Sequence, residues 1–267
     1  MPTFDTPQPI TATVDIAAGS VRLVAGDRDD TVVEVRPRDE SRSHDVKAAE
    51  QVRVDFKNGA LAVTSQRGFS IPRRGAVVVD IALPAGSRLN ASAASANITA
   101  EGRYADCKFA SASGDLEVGS VAGNLKADTA SGGIAVRDIN GSASISTASG
   151  DAIFGDLDGD VKFRAASGSL SVTRLHGNVN AQTSSGDTTV ATAVNGGVSV
   201  QTASGEVVVG IAEGTAAQLD LRTHSGEVRN SLAPSDAPAP GDETLVVYAR
   251  TASGDVIVQR ATADAVS

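Results

Sequence analysis

Apolar and polar residues alternate along most of this chain, and the alternation restarts every 18 residues. The unit beginning at Ser113 reads Ser-Gly-Asp-Leu-Glu-Val-Gly-Ser-Val, then Ala-Gly-Asn-Leu-Lys-Ala-Asp-Thr-Ala. It consists of two nine-residue halves, each opening on a glycine and continuing as a strand with one buried face. Numbering each unit from its Ser gives the expected core. Position 4 carries Leu116, Ile134, Leu170, Val207 and Val256, and position 6 carries Val118, Val136, Phe154, Val172, Val190, Val209 and Val258. Position 9 carries Val121, Ile139, Leu157 and Leu175. Positions 13 and 15 carry Leu125, Ile145, Val161, Phe163, Val179, Val198 and Val200. An amphipathic helix would need apolar residues three and four apart, and this glycine density makes helix costly.

The units are punctuated by Ser-Gly pairs. They fall at Gly114, Gly132, Gly150, Gly168 and Gly186 in steps of 18, then at Gly205, Gly226 and Gly254 in wider steps. A degenerate copy, Ser95-Ala96-Asn97-Ile98, precedes them. Like residues at like places predict coils lying one on another, with parallel strands ~4.8 Å apart. Each Ser-Gly is expected to be a corner at which Gly supplies a tight turn or a positive φ, with the neighbouring Ser and Asp bonding local backbone groups.

Residues 1–90 are β-rich but irregular. Short strands are expected at Val21–Val24, Thr31–Val35, Val52–Phe56, Leu61–Thr64 and Val77–Leu83, with a hairpin-type turn at Asn58-Gly59. Residues 37–50 read as a charged excursion, 66–75 as a second loop and 231–241 as a Pro-rich loop. A solenoid's open end exposes strand edges, so the N-terminal region is expected to supply the first coils and a cap. The expected fold is all-β: a parallel β-solenoid (β-helix) with ~18-residue coils and an irregular β N-terminal cap. It is expected as one elongated domain, with regular coils over 91–260 and a disordered tail at 261–267. Two main sheets per coil are expected, with a triangular section as the alternative; parallel crossovers favour right-handed coiling.

Composition narrows the picture. Aromatics make up 3% and Trp is absent, so the core must be narrow and built from Val, Ile, Leu and Ala. The net charge of −9 argues against holding nucleic acid through its phosphates. The single Cys107 excludes an internal disulfide framework. The start, Met1-Pro2-Thr3-Phe4, has neither a basic stretch nor an apolar run, and no segment approaches ~20 apolar residues. A cytoplasmic protein with no membrane insertion is the expectation.

The repeated Ser-Gly-Asp-Leu/Ile-x-Val units behind an irregular β region resemble the bacterial "putative adhesin" β-strand-repeat family, domain of unknown function 4097. The resemblance covers residues ~10 to ~260. It implies a β-solenoid and no catalytic site. The adhesin label implies surface exposure, and some relatives lie beside envelope-stress and transport systems, which implies a membrane-proximal regulatory role.

Several chemistries compete with plain structure as readings of the repeat. Nonapeptide solenoids of the Gly-Gly-x-Gly-x-Asp type bind Ca²⁺. Here the second Gly and the later Asp are missing, and position 3 runs Asp115, Gly133, Asp151, Ser169, Asp187, with acid and neutral alternating. Corner structure is therefore expected, with no metal and no cofactor. A carbohydrate-active β-helix enzyme would want a carboxylate pair and aromatic platforms, and the chain has two Tyr. His44, His176 and His224 fall in different coils or loops and suggest no triad. Cys107 reads as a small buried residue. The Thr-x-Ser pairs form a regular hydroxyl array, which suits turn and core roles better than ice binding.

A non-catalytic binding or scaffold module is expected, with self-association or an unidentified protein partner. Of the two outward faces, the one after position 11 carries ordinary polar residues. The other is small and weakly polar, and a contiguous apolar strip tends to mark a contact surface. Ala135, Ile153, Thr189 and Val208 are its candidate binding residues.

Overall fold

The computed structural model describes residues 1–65, 75–233 and 242–262. Most of the expected loop at 66–75, the greater part of that at 231–241 and residues 263–267 of the tail lie outside these. The chain divides into two compact units, Met1–Ala135 and Val136–Ser267, and each is described by itself. Both are parallel β-solenoid stacks.

In the first unit the strands are β1 (Thr3–Asp5), β2 (Thr11–Gly26) and β3 (Asp30–Pro37), then, after a short helix α1 (Ser43–Glu50), β4 (Val52–Lys57), β5 (Ala60–Ser65) and β6 (Val77–Pro84). β7 (Arg88–Tyr104), β8 (Cys107–Ser113), β9 (Leu116–Val121) and β10 (Asn124–Ser131) complete it. β2 is itself a full coil that the Ser-Gly signature missed: Ala18-Gly19-Ser20-Val21 stands against Ser95-Ala96-Asn97-Ile98 of β7. β2 does not sit at the end of the stack, although it comes first in the chain. It pairs in parallel with β7 on one side, and with β5 and β6 on the other. The outer coil, β5–β6, is covered by antiparallel strands, β4 on β5 and β3 on β6, with β1 added to β3. This is the expected cap. Asn58 (φ 50°) and Gly59 (φ 73°) form the β4–β5 turn, as a two-residue hairpin with positive φ at both positions requires.

The excursion at 37–50 is not simply loop. Ala48, Ala49, Lys47 and Glu50 are good helix formers, and they propagate one short helix that packs on β3 and β6. Its Asp45 is buried and accepts the Ala76 N–H at 2.9 Å.

In the second unit each coil is nearly one continuous strand: β11 (Ile134–Ser149), β12 (Ala152–Ser167), β13 (Leu170–Ser185) and β14 (Thr188–Ser204), then β15 (Val207–Ile211). Register is offset by 18 residues, as in Val161↔Val179 and Phe163↔Ala181, with a one-residue bulge at Leu175/His176. Burial parity changes twice per coil. In β12 the buried residues are Ala152, Phe154, Leu157, Val161 and Phe163, so the chain shifts phase between positions 6 and 9 and again across the corner. Every core residue expected at positions 4, 6, 9, 13 and 15 is buried.

The remaining strands are β16 (Ala216–Ser225), β17 (Val228–Asn230), β18 (Thr244–Ser253) and β19 (Val256–Arg260). The sequence suggested that rungs stack in chain order, and here they do not. β18–β19, last in the chain, pairs with β14–β15 on one side and β16–β17 on the other. Burial explains the exchange. Val256 and Val258 are 0% exposed, whereas their outer partners Val228 (40%) and Asn230 are exposed. The coil with a polar residue in a core column occupies the outer layer.

Candidate functional site

The Ser-Gly corners form one column in each unit. A Cβ added at Gly132 would fall on the backbone carbonyl of Gly114, and one at Gly186 on that of Gly168. The same holds for Gly114 against Ala96, Gly168 against Gly150, Gly205 against Gly186, Gly254 against Gly205, and Gly226 against Gly254. Of the two expected corner solutions, a positive φ or a tight turn, the column shows both. Gly186 (φ 152°) and Gly205 (φ 153°) have a positive φ, but Gly150 and Gly168 lie outside the left-handed region. What the column shares is close backbone approach between coils, which leaves no room for a side chain.

Position 3 has a role the sequence did not reveal. Its side chains were expected to bond local backbone groups, but they bond across coils. Asp115 Oδ1 accepts the N–H of Gly133 at 2.9 Å, and Asn97 Oδ1 that of Asp115 at 3.1 Å. In the second unit Asp151 Oδ1 accepts from Ser169 at 2.8 Å, Ser169 Oγ from Asp187 at 3.2 Å, and Asp187 Oδ1 from Glu206 at 2.8 Å. The turn carries the carbonyl away from this N–H, and the side chain replaces it. The Thr-x-Ser hydroxyls act locally. Thr129, Thr183, Thr202 and Thr251 each donate to the carbonyl two residues on, at 3.0–3.2 Å. Both arrays bond backbone groups at the turns. Among the described residues no group of three or more His, Cys, Asp or Glu side chains is placed to hold a metal.

His44 lies on α1 of the first unit; in the second unit His176 lies beside Arg174 on β13 and His224 is exposed on β16. Cys107 is a free, buried thiol, and burial, with the nearby Asp106, pushes its pKa up to about 12.

The expected outward strip is assembled in the second unit. Ile153↔Ser171↔Thr189↔Val208↔Ile257 are successive register partners, ending at Arg229 of the outer layer. Ile153 is 54% exposed, and Ser171, Thr189, Val208 and Ile257 are half-buried. The exchanged layer places Ile257 directly on Val208, with Arg229 beyond it. Ala135 is half-buried at the end of the first unit.

The family model for Toastrack DUF4097 matches residues 12–259. The chain belongs to the Toastrack DUF4097 family. Among solved structures it is similar to "Putative lipid binding protein" from Parabacteroides distasonis ATCC 8503, with a TM-score of 0.55 at 13% identity, covering 97% of this chain and 95% of that one. It also matches a "putative adhesin" from the same organism (TM-score 0.38, 14% identity, 96% and 95% coverage). A "putative cell adhesion protein" from Clostridium sporogenes ATCC 15579 matches as well (0.19, 9%, 97% and 98%). The first of these supports the Toastrack fold alone. No curated protein is significantly similar to the chain. Among the described residues of this Toastrack chain no helix is long and apolar enough to cross a membrane.

Proposed function

We propose that the chain is a non-catalytic binding and scaffold module, and that a protein partner or a second copy seats on the column Ile153–Ser171–Thr189–Val208–Ile257. The observation that carries this reading is the exposure of Ile153 at the head of an in-register column of small and apolar side chains. Outward apolar side chains in register on a protein with this much exposed charge favour a contact. The scattered histidines, the protonated buried thiol and the engaged position-3 carboxylates leave no assembled nucleophile or acid–base pair among the described residues, which supports a non-enzymatic role. An adhesin-like role, or one tied to envelope-stress or transport regulation, would use such a face.

The test is a double variant, Ile153→Lys with Val208→Lys, compared with the parent by sedimentation velocity and circular dichroism. Loss of self-association or of partner binding with an unchanged spectrum supports the reading. Unchanged association overturns it, and so does unfolding, which would mean that the face is internally covered. The name of the Parabacteroides relative supplies a lipid alternative. Flotation with phosphatidylcholine vesicles that is lost in the same variant would favour that alternative over a protein partner.

A further inference from the structure

A different face of the second unit departs from the ordinary polar surface expected of it. Register stacks the outward residues Arg164, Gln182, Gln201, Arg250 and Arg222 in one column. All five are exposed. Chain order alone would have put Arg222 next to Gln201. The exchanged layer instead inserts Arg250, together with Tyr248, over whose ring the Arg250 guanidinium lies at 4.4 Å from the centroid.

Three properties of this column point to a ligand class. It holds three guanidinium groups and no carboxylate, on a chain of net charge −9. Arg222 is paired with Asp220 at 3.0 Å, while Arg164 and Arg250 have no carboxylate partner among the described residues. The Arg250 guanidinium sits over the Tyr248 ring, and a guanidinium so placed keeps N–H donors available for bidentate contact with a planar anion. Between the two free cations stand two neutral amides, so the charges are three layers apart, roughly 14 Å. Gln182 and Gln201 present donors and acceptors suited to hydroxyls. The neighbouring column adds Asn180 and Ser199 in the same two layers.

We infer that this column binds an extended acidic polysaccharide, with carboxylates at Arg164 and Arg250 and sugar hydroxyls on the amide layers between them. A pyranose unit in an extended chain advances by a distance comparable to one layer, so the chain would run along the stack. Nucleic acid places a phosphate on every nucleotide and would meet uncompensated amides here, within an acidic protein.

The experiment is calorimetric titration of the full chain at low salt with an oligogalacturonate octasaccharide, which carries a carboxylate on every sugar and, coiled threefold, turns every third one to the same side. A neutral chitooligosaccharide of equal length and a dT oligonucleotide serve as comparators. Binding of the uronate oligosaccharide over both comparators is expected. About tenfold or greater weakening is expected in the double variant Arg164→Gln with Arg250→Gln, equivalent to removing charge-assisted contacts. Arg250→Lys should recover only part of the affinity, because it restores the charge without the fork. Gln201→Ala should weaken binding severalfold. Three results would overturn the inference: no uronate binding, binding indifferent to both arginines, or tighter binding of the oligonucleotide with the same arginine dependence. The last would mark a general polyanion strip. The substitutions are on exposed side chains and leave the column of Ile153 untouched, so this test and that of the contact face can fail separately.

Discussion

Asp187 Oδ1 accepts the backbone N–H of Glu206, the residue at the same place one coil later, at 2.8 Å. The bond joins two corners 19 residues apart in sequence. It satisfies a donor that the turn would otherwise leave without a protein partner. Asp187→Ala is expected to lower stability by about 1 kcal/mol, the usual net worth of such a bond at an exposed site. Asp187→Asn keeps the acceptor oxygen and should cost less. Thermal melting of the two variants side by side decides this, and equal losses would show that the acceptor is dispensable.

Gly186→Ala tests the backbone column. Its Cβ would collide with the Gly168 carbonyl, and its φ of 152° is one that L residues rarely adopt. A loss of roughly 3 kcal/mol or more is expected from strain and displaced backbone together. Gly26→Ala is the contrast, since nothing lies within 4 Å of its added Cβ and its φ is unexceptional. Gly26→Ala should be near neutral in denaturant unfolding, and a comparable loss at both sites would refute the collision argument.

The exchanged layers give a pair of deletions with opposite outcomes. Ending the chain at residue 241 removes β18–β19 and leaves an internal gap between β14–β15 and β16–β17. That variant should melt far lower and be cut rapidly by protease. Removing residues 212–242 instead places Ser253 eighteen residues after Ser204, the regular step, and lets β18–β19 follow β14–β15 directly. It should fold. If the truncation is the more stable of the two, the outer layer does not depend on the inserted one.

Cys107 supplies a pH prediction. Burial holds its pKa near 12, and it also raises that of Tyr104, whereas an unfolded thiol ionises near 8.5. The folded state therefore keeps a proton that the unfolded state releases. The resulting contribution to stability is full below about pH 8.5 and declines as pH rises from there toward about 12. Maleimide or iodoacetamide labelling at pH 8 should be very slow in the native protein and fast in denaturant. Rapid native labelling would show an accessible thiolate.

The repeat was legible in the sequence because burial is periodic. Phe154, Phe163 and Val190 sit where alternation put them, since a one-residue slip would turn each toward solvent. Layer order was not legible. Val228 and Val256 occupy the same column and look alike, and only the polar Asn230 against Val258 hinted at which coil could stand outermost. The role of Asp187 was hidden for a related reason: an Asp after Gly signals a turn, but nothing local says that its oxygen reaches the next coil. The first coil, β2, lacks the Ser-Gly signature because Ala18 stands where Ser is usual. The outward candidates Ile153, Thr189 and Val208 were found by parity. The setting of the Tyr248–Arg250 pair is not legible in the sequence because its neighbours depend on the exchange.

The interleaving at both chain ends also bears on how such a protein can change length. β2 and β18–β19 are each held between two other layers, so the coils nearest the two termini are interleaved in their stacks rather than outermost. A coil duplicated within the uniform run, for example between β12 and β13, meets neighbours of the same register and corner chemistry on both faces. Gain or loss of coils during descent is therefore expected in the middle of the array, in multiples of the 18-residue step, with both interleaved ends kept intact.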